Sequence, residues 1–240
     1  MKSPFRSIRQ KLFNEGKLVR YLGYAVGEIA LIIIGILFAL KINNMNEDRK
    51  AEAEFDLYIV QLRADVQLAI ESTEATITQA ENRASAGTAL FPLLQYPEIK
   101  AEQREVLENG LSFLGKFPRL QIDAGFLGDI LNGDRDVITR NNELTRKAMD
   151  LERFVGRNMG YLVNIYEKIN LASIGLLEFR GDNREELDIG MEYNFDEIRS
   201  SEKFLYTTQF IVSYTYSIAE ISREIESQLN DFLTVLEEYE

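Results

Sequence analysis

Residues 21–42 read YLGYAVGEIALIIIGILFALKI, and this stretch determines how the rest of the chain is interpreted. From Ile29 to Leu40 the sequence contains no polar residue. As an α-helix, such a stretch spans about 33 Å, which matches a hydrocarbon core of about 30 Å. It therefore predicts a single transmembrane helix, because a buried helix of a water-soluble core is rarely so apolar for so long.

A cleaved signal peptide is the main alternative to a permanent membrane helix. The apolar run is longer than the core of a usual signal peptide, and Leu37 stands where cleavage after Ala39 would need a small residue. Both features favour a helix that is retained in the mature protein. We therefore expect residues 21–42 to form a membrane anchor.

Charge is distributed unevenly around this segment. The chain has 27 basic and 39 acidic residues, and residues 1–20 hold six of the basic residues but only one of the acidic residues. The positive-inside rule then predicts a cytoplasmic N-terminus and a periplasmic C-terminal domain in a bacterial inner membrane. The predicted parts are a basic head (1–20), the transmembrane helix (21–42), a polar neck (43–50) and an extracytoplasmic domain (51–240).

The basic head is expected to bind membrane lipids. Phe5, Ile8, Leu12 and Phe13 alternate with basic residues at roughly helical spacing, which is typical of an amphipathic helix lying on an anionic leaflet. A frayed basic tail is the alternative. The predicted anchoring residues are Lys2, Arg6, Arg9, Lys11, Lys17 and Arg20.

One acidic residue and a series of small residues distinguish the membrane segment. Glu28 lies one to two turns inside the segment, where an ionised carboxylate is costly unless it is paired, hydrated or protonated. Small residues at four-residue steps, with Leu31 filling one step, predict a face on which helices approach closely. We expect this helix-association face, with Glu28 at its edge, to consist of Gly23, Gly27, Glu28, Gly35 and Ala39.

Composition argues against several functional classes. The acidic body repels phosphate backbones, so nucleic-acid binding is not expected. The chain has neither Cys nor His, which removes thiolate metal sites, disulfides and the commonest general base. The sequence also lacks a P-loop and a nucleophile elbow. We therefore expect no enzymatic activity, no cofactor and no metal.

Helical periodicity dominates the region after the membrane segment. One series repeats in steps of four and three from Phe55 to Ala80, and Pro92 and Pro97 mark its end. A shorter helix is expected before Pro118, and another helix from about Thr139 to Arg180. In the last helix, apolar residues recur every seven positions and predict two buried rows. The first row is Phe204, Ile211, Ile218, Ile225 and Phe232. The second row is Tyr214, Ile221 and Val235.

These patterns predict an all-α fold. The transmembrane helix would continue into an extracytoplasmic antiparallel bundle of the four-helix type, made of three long helices and one or two short ones. No period-2 alternation argues for a sheet. Binding of a small-molecule ligand is an alternative that the sequence leaves open, because Tyr206, Tyr214 and Tyr216 lie on the last helix and could line a pocket.

A calcium loop is the strongest metal candidate in the sequence. Asn132, Asp134, Asp136 and Glu143 fall at ligand positions of such a loop. The position that needs Gly for the sharp turn holds Val137. We therefore favour ordinary capping and turn chemistry for these residues over a calcium site.

The segment from Arg20 to Lys50 resembles the start of an uncharacterised Bacteroidota family of small single-pass membrane proteins. The matching pieces are YAVGEI (24–29), GILFAL (35–40) and INNMNEDRK (42–50), with Met45 where the family usually has Trp. Residues 123–151 resemble its second half more loosely. The resemblance implies the same membrane topology and places Glu28 in the family's GE dipeptide. It implies no activity, because none is established for the family.

Three functions from different classes remain open at this point. The first is a structural or interaction protein, either an accessory subunit of a larger membrane complex or a homo-oligomer, assembled through the helix-association face. The second is a ligand-binding or sensory bundle that works with a separate signalling partner. The third is ion or proton passage through a ring of Glu28 side chains.

Overall fold

The computed structural model describes residues 17–114, 116–122, 142–179 and 193–239. In these ranges the fold is all-helical, which confirms the predicted class. The helices are α1 (Lys17–Leu93), α2 (Ala101–Phe113), α3 (Asn142–Gly175), a 3-10 turn (Leu177–Phe179), α4 (Phe195–Ser200) and α5 (Glu202–Glu237). Helices α1, α3 and α5 are the three long helices expected from the sequence.

The chain divides into two compact units, Met1–Phe55 and Asp56–Glu240. The described part of the first unit consists of the N-terminal part of α1. Within the described residues one helix is long and apolar enough to cross a membrane. Its most apolar window of 18 residues has a mean hydropathy of 2.1, and none of that window is buried.

In the second unit, α1 buries the face that its periodicity predicts. The expected row is buried from Ile59 onwards, whereas Phe55 is half-buried. Steps of three and four keep these side chains on one side of the helix. The buried row is Ile59, Leu62, Val66, Ala69, Thr73, Thr76 and Ala80.

Helix α5 confirms one predicted row and corrects the other. The row of five from Phe204 to Phe232 is buried. The second predicted row is wrong, because Tyr214, Ile221 and Val235 are only half-buried. The second buried row lies one position further along and begins with three hydroxyl residues, which are small enough to let neighbouring helices approach. It consists of Thr208, Thr215, Ser222, Leu229 and Leu236.

In helix α3, as in α5, a polar residue is buried beside a predicted apolar position that is not. The apolar row that the sequence predicts here is buried except for Met159, which is half-buried, while the neighbouring Asn158 is buried instead. That row consists of Leu144, Ala148, Leu151, Val155, Met159, Leu162, Tyr166 and Ile169. The Asn158 side-chain amide donates a hydrogen bond to the carbonyl oxygen of Phe154 at 3.1 Å. Because this local bond satisfies the amide, the helix tolerates a polar residue in its core face.

Three contacts between described residues join α1 to α5. As residue numbers rise along α1, the numbers of the contacted residues on α5 fall. Arg63 Nη2 donates to the carbonyl oxygen of Leu236 at 2.7 Å. Further along α1, Glu81 forms an ion pair with Arg223. A methyl group built at Gly87 would lie 2.5 Å from Val212 Cγ2. The two helices therefore approach closely where α1 has no side chain.

Helix ends follow local chemistry. Pro92 lies in the last turn of α1, and α2 ends at Phe113, before Pro118 as predicted. The expected end of α3 near Arg180 is wrong by about one turn, since the α-helix stops at Gly175 and a 3-10 turn follows. The expected start of α3 near Thr139 lies outside the described residues.

Candidate functional site

The first candidate surface is the helix-association face in the first unit. The segment is helical throughout, so the four-residue steps place the small residues along one side of α1. Glu28 and Ala39 are exposed. No atom lies within 4 Å of the position that a methyl group would take at Gly23, Gly27 or Gly35. Within the described residues, nothing in this chain packs against these glycines.

Exposure on this helix is not limited to the small residues. Leu31 is 72% exposed and Phe38 is 66% exposed, and the other large apolar side chains from Val26 to Ile42 are exposed as well. Burying one such side chain is worth about 1.5–3 kcal/mol. A helix with so many of them exposed is unfavourable in water, which is consistent with a membrane anchor.

Two glycines in the second unit serve as a contrast. A methyl group at Gly110 would lie 2.8 Å from the carbonyl oxygen of Ala86 and still closer to Leu90, because α2 packs directly on α1 there. A methyl group at Gly87 would meet Val212. These glycines are explained by packing inside the chain, whereas the glycines of the first unit are not.

Most of the predicted lipid-anchoring residues fall outside the described ranges. Lys2, Arg6, Arg9 and Lys11 precede residue 17, while Lys17 and Arg20 lie in the first turn of α1. The anchoring role stays a prediction. Of the calcium candidates, Asn132, Asp134 and Asp136 lie outside the described residues. The fourth, Glu143, lies in the first turn of α3.

No group of three or more acidic side chains that could hold a metal ion occurs in the described ranges.

The second candidate surface is an open groove of about 650 Å³ at the end of α1, beside α4 and the start of α5. Of the predicted tyrosines, Tyr206 lines the groove, whereas Tyr214 packs on Phe210 with ring centroids 4.4 Å apart and Tyr216 is exposed. The sequence did not indicate the remaining lining, which comes from three separate segments. It consists of Phe91, Leu94, Gln95, Arg199, Glu202, Leu205 and Gln209.

The groove combines an apolar lining with charged groups. Arg199 Nε lies 2.9 Å from Asp196 Oδ1, so part of its guanidinium is already paired. Its charged neighbour in the lining, Glu202, lies in the first turn of α5 and is exposed. Such a lining can hold a small polar molecule with an apolar portion, but it contains neither a nucleophile with a base nor a set of metal ligands.

An aromatic cluster fixes the segment after α2. The rings of Phe117 and Tyr166 stack at 5.6 Å, and the Arg119 guanidinium lies 5.5 Å from the Phe117 ring centroid. The Tyr166 hydroxyl oxygen accepts a hydrogen bond from the Leu120 amide at 2.8 Å. Burial raises the pKa of Tyr166, while the Leu120 hydrogen bond and the Arg119 charge oppose that rise. The cluster is structural, since the hydroxyl is already engaged.

On α5, the buried hydroxyls Thr208 Oγ1 and Ser222 Oγ lack a hydrogen-bond partner among the described residues. Both residues are 0% exposed. By contrast, the hydroxyl of Thr215, between them in the same row, donates to the Ile211 carbonyl oxygen at 2.8 Å. Leaving a buried hydroxyl unpaired costs about 1–3 kcal/mol.

In comparisons with known proteins, no family model, no curated protein and no solved structure matches this chain.

Proposed function

We propose that the chain is a single-pass interaction protein of a bacterial inner membrane, with residues 1–20 in the cytoplasm and the second unit in the periplasm. Its task is assembly, either as a homo-oligomer or as an accessory subunit of a larger membrane complex, without catalytic activity of its own. The observation that carries the proposal is an apolar helix segment with no buried residue in its most apolar window.

The proposed contact runs along Gly23, Gly27, Gly35 and Ala39. Small residues at this spacing let two helix backbones come close enough for extensive van der Waals contact in lipid. The open space at all three glycines supports this, because no packing among the described residues accounts for them. Glycine inside a helix costs about 0.5–1 kcal/mol relative to alanine, so three of them require some compensation.

Glu28 adds specificity to this contact. A carboxyl group at this depth is costly against lipid, but it is stabilised when a partner helix offers a hydrogen-bond donor or a cation. Its place beside Gly27 puts it at the rim of the proposed contact. Membership of the uncharacterised Bacteroidota family is part of the same proposal, and it rests on the YAVGEI, GILFAL and INNMNEDRK pieces.

For the second unit we propose an antiparallel bundle of the four-helix type. The contacts of Arg63 with Leu236, Glu81 with Arg223, and Gly87 with Val212 support opposite directions for α1 and α5. The close approach of Gly110 to Leu90 supports α2 as a short fourth helix. Such a bundle presents acidic helix surfaces to a periplasmic partner.

The test is native mass spectrometry of the full-length protein in detergent, with wild type, Gly27→Leu and Glu28→Ala measured side by side. Ile33→Phe adds bulk on the opposite side of the helix and is the control. We expect a defined oligomer or complex in wild type and Ile33→Phe, and its loss in the other two variants. A monomer in all four samples, without a bound partner, would contradict the proposal.

Ligand binding by the second unit is the other candidate, and the groove beside Tyr206 is the observation that favours it. The bundle would then act as a sensory module with a separate signalling partner. Thermal-shift screening of the full-length protein with metabolites and ions tests this function. The expected result is a stabilising ligand whose effect is lost in Tyr206→Ala and retained in Tyr216→Ala, and a screen without any stabilising compound would contradict it.

A further inference from the structure

Helix α1 carries a second apolar face in the second unit, opposite its buried row. Leu57, Val60 and Leu68 are 59%, 60% and 62% exposed. Together with the exposed Ala64 they follow one another in steps of three, four and four, which places them in one row along the helix. We refer to these four residues as the outer stripe. Isolated exposed apolar residues are ordinary, but an aligned row on a helix is typical of a docking face.

The outer stripe ends where the charge pattern changes. Continuing along the same side of α1, the next residue is Glu71, which is exposed. The large apolar side chains on this side thus lie within about three helical turns. A contact of this length is small, so it suits a transient partner more than a permanent one.

Acidic side chains border the outer stripe. Asp56, Asp65 and Glu71 are exposed on α1 beside or at the end of the stripe. Residues 51–82 contain seven acidic residues and one basic residue, Arg63. The Arg63 guanidinium donates to the carbonyl oxygen of Leu236 and is directed towards the last turn of α5.

This charge pattern selects among the possible occupants. A second copy whose own stripe packed against this one would bring two acidic borders together, which is repulsive. An anionic lipid surface is repelled for the same reason. A helix with an apolar row and basic borders fits both the shape and the charge of the stripe.

We propose that the outer stripe docks an amphipathic helix with basic borders, supplied by a different protein. Leu57, Val60 and Leu68 provide the apolar contact, and Asp56, Asp65 and Glu71 select for the cationic borders. This inference rests on the proposed function as an interaction protein, but it uses a surface of the second unit and not the helix-association face.

The test uses full-length protein in nanodiscs of zwitterionic lipid and a fluorescent synthetic helix of about five turns. The probe carries a leucine row bordered by lysines, and a twin probe has glutamates in place of the lysines. We expect the lysine probe to bind about tenfold more tightly than its twin, with affinity that falls as salt rises. Equal affinities for both probes would overturn the proposal.

Paired substitutions locate the binding. The variant Leu57→Gln/Leu68→Gln is expected to lose about tenfold in affinity for the lysine probe, since it removes both leucine contacts of the stripe. The control Leu171→Gln/Ile174→Gln alters two residues on α3 that are 69% and 55% exposed, and it is expected to bind as wild type does. No loss in the stripe variant would mean general attraction to an acidic protein, and equal loss in both variants would mean non-specific apolar adsorption. Either outcome would overturn the proposal.

Two further measurements separate this inference from the proposed function. Gly27→Leu is expected to leave probe affinity unchanged even where it dissolves the membrane assembly. Native mass spectrometry of Leu57→Gln/Leu68→Gln is expected to show the wild-type mass. A wild-type oligomer that dissociates in this stripe variant would identify a second copy as the occupant and overturn the proposal of a basic partner.

Discussion

The apolar segment of the first unit and the core rows of the second unit use similar side chains and bury them to very different extents. Ile33 and Leu37 are 50% and 60% exposed, whereas Ile218 and Leu229 are completely buried. Periodicity explains the difference, because apolar residues surround the first helix and form rows on the others. A helix that is apolar on one side finds its partner inside the chain, while a helix that is apolar all round requires its surroundings to provide one.

The largest expected effect comes from a substitution in the buried core of the second unit. Phe204 is 0% exposed, and its ring lies 5.4 Å from that of Phe179 and 5.9 Å from that of Tyr193. We expect Phe204→Ala to lower the free energy of unfolding of the second unit by about 3–5 kcal/mol. Chemical denaturation followed by circular dichroism measures this. Leu31→Ala, at a position that is 72% exposed, is the control and should leave that transition unchanged.

Two glycine substitutions test the same difference between packed and open positions within the second unit. Gly110→Ala places a methyl group against the Ala86 carbonyl and Leu90, so we expect a loss of about 1–3 kcal/mol in the free energy of unfolding. Gly156→Ala introduces the same methyl group into open space on α3 and should stabilise by about 0.5–1 kcal/mol. Thermal unfolding distinguishes the two signs. A destabilised Gly156→Ala would mean that α3 packs there against something outside the chain.

Tyr166 gives a smaller effect with a dependence on pH. Tyr166→Phe keeps the ring stack but leaves the Leu120 amide without its acceptor, which should cost about 1–3 kcal/mol at pH 7. Because the pKa of Tyr166 is raised in the folded state, its contribution is present below about pH 10 and declines as pH rises further. The stability difference between wild type and variant should therefore narrow above pH 10.

The exposed Tyr216 supplies the control for this measurement, since Tyr216→Phe should be close to wild type at every pH. A wild-type advantage over Tyr166→Phe that stays constant from pH 7 to pH 11 would contradict the proposed dependence.

The smallest expected effect concerns the hydroxyl row of α5. Thr208→Val replaces an unpaired buried hydroxyl by a methyl group of similar shape, so we expect a gain of about 1 kcal/mol in the free energy of unfolding. Thr215→Val should give no such gain, because the Thr215 hydroxyl is bonded to Ile211. Equal effects of the two substitutions in urea denaturation would mean that the Thr208 hydroxyl is satisfied in solution.

The sequence predicted the elements better than the contacts between them. The rows from Ile59 to Ala80 and from Phe204 to Phe232 followed from periodicity alone, since helix geometry fixes which residues share a side. The buried Thr208, Thr215 and Ser222 were missed, because an apolar pattern gives no weight to small polar residues that close helix packing can bury. The groove was missed because it joins Phe91, Arg199 and Leu205 from three segments.

Identifying the exposed helix faces required both the sequence and the structure. The spacing of Gly23, Gly27, Gly35 and Ala39 was readable from the sequence, yet the structure was needed to show that no other described part of the chain packs on the glycines. Conversely, Leu57, Val60 and Leu68 look like core residues in the sequence. Their exposure became evident only once the opposite side of α1 was seen to hold the buried row.

The hydrogen bond between Arg63 and Leu236 has a consequence for how the protein is made. The two residues are separated by 173 positions along the chain. At a synthesis rate of roughly 5–20 residues per second, the α1 side of this contact waits about 9–35 s before α5 is complete. Throughout that interval the apolar row from Ile59 onwards has no partner in α5. We therefore expect the α1 surface that α5 will cover to stay exposed during synthesis until the last helix is made.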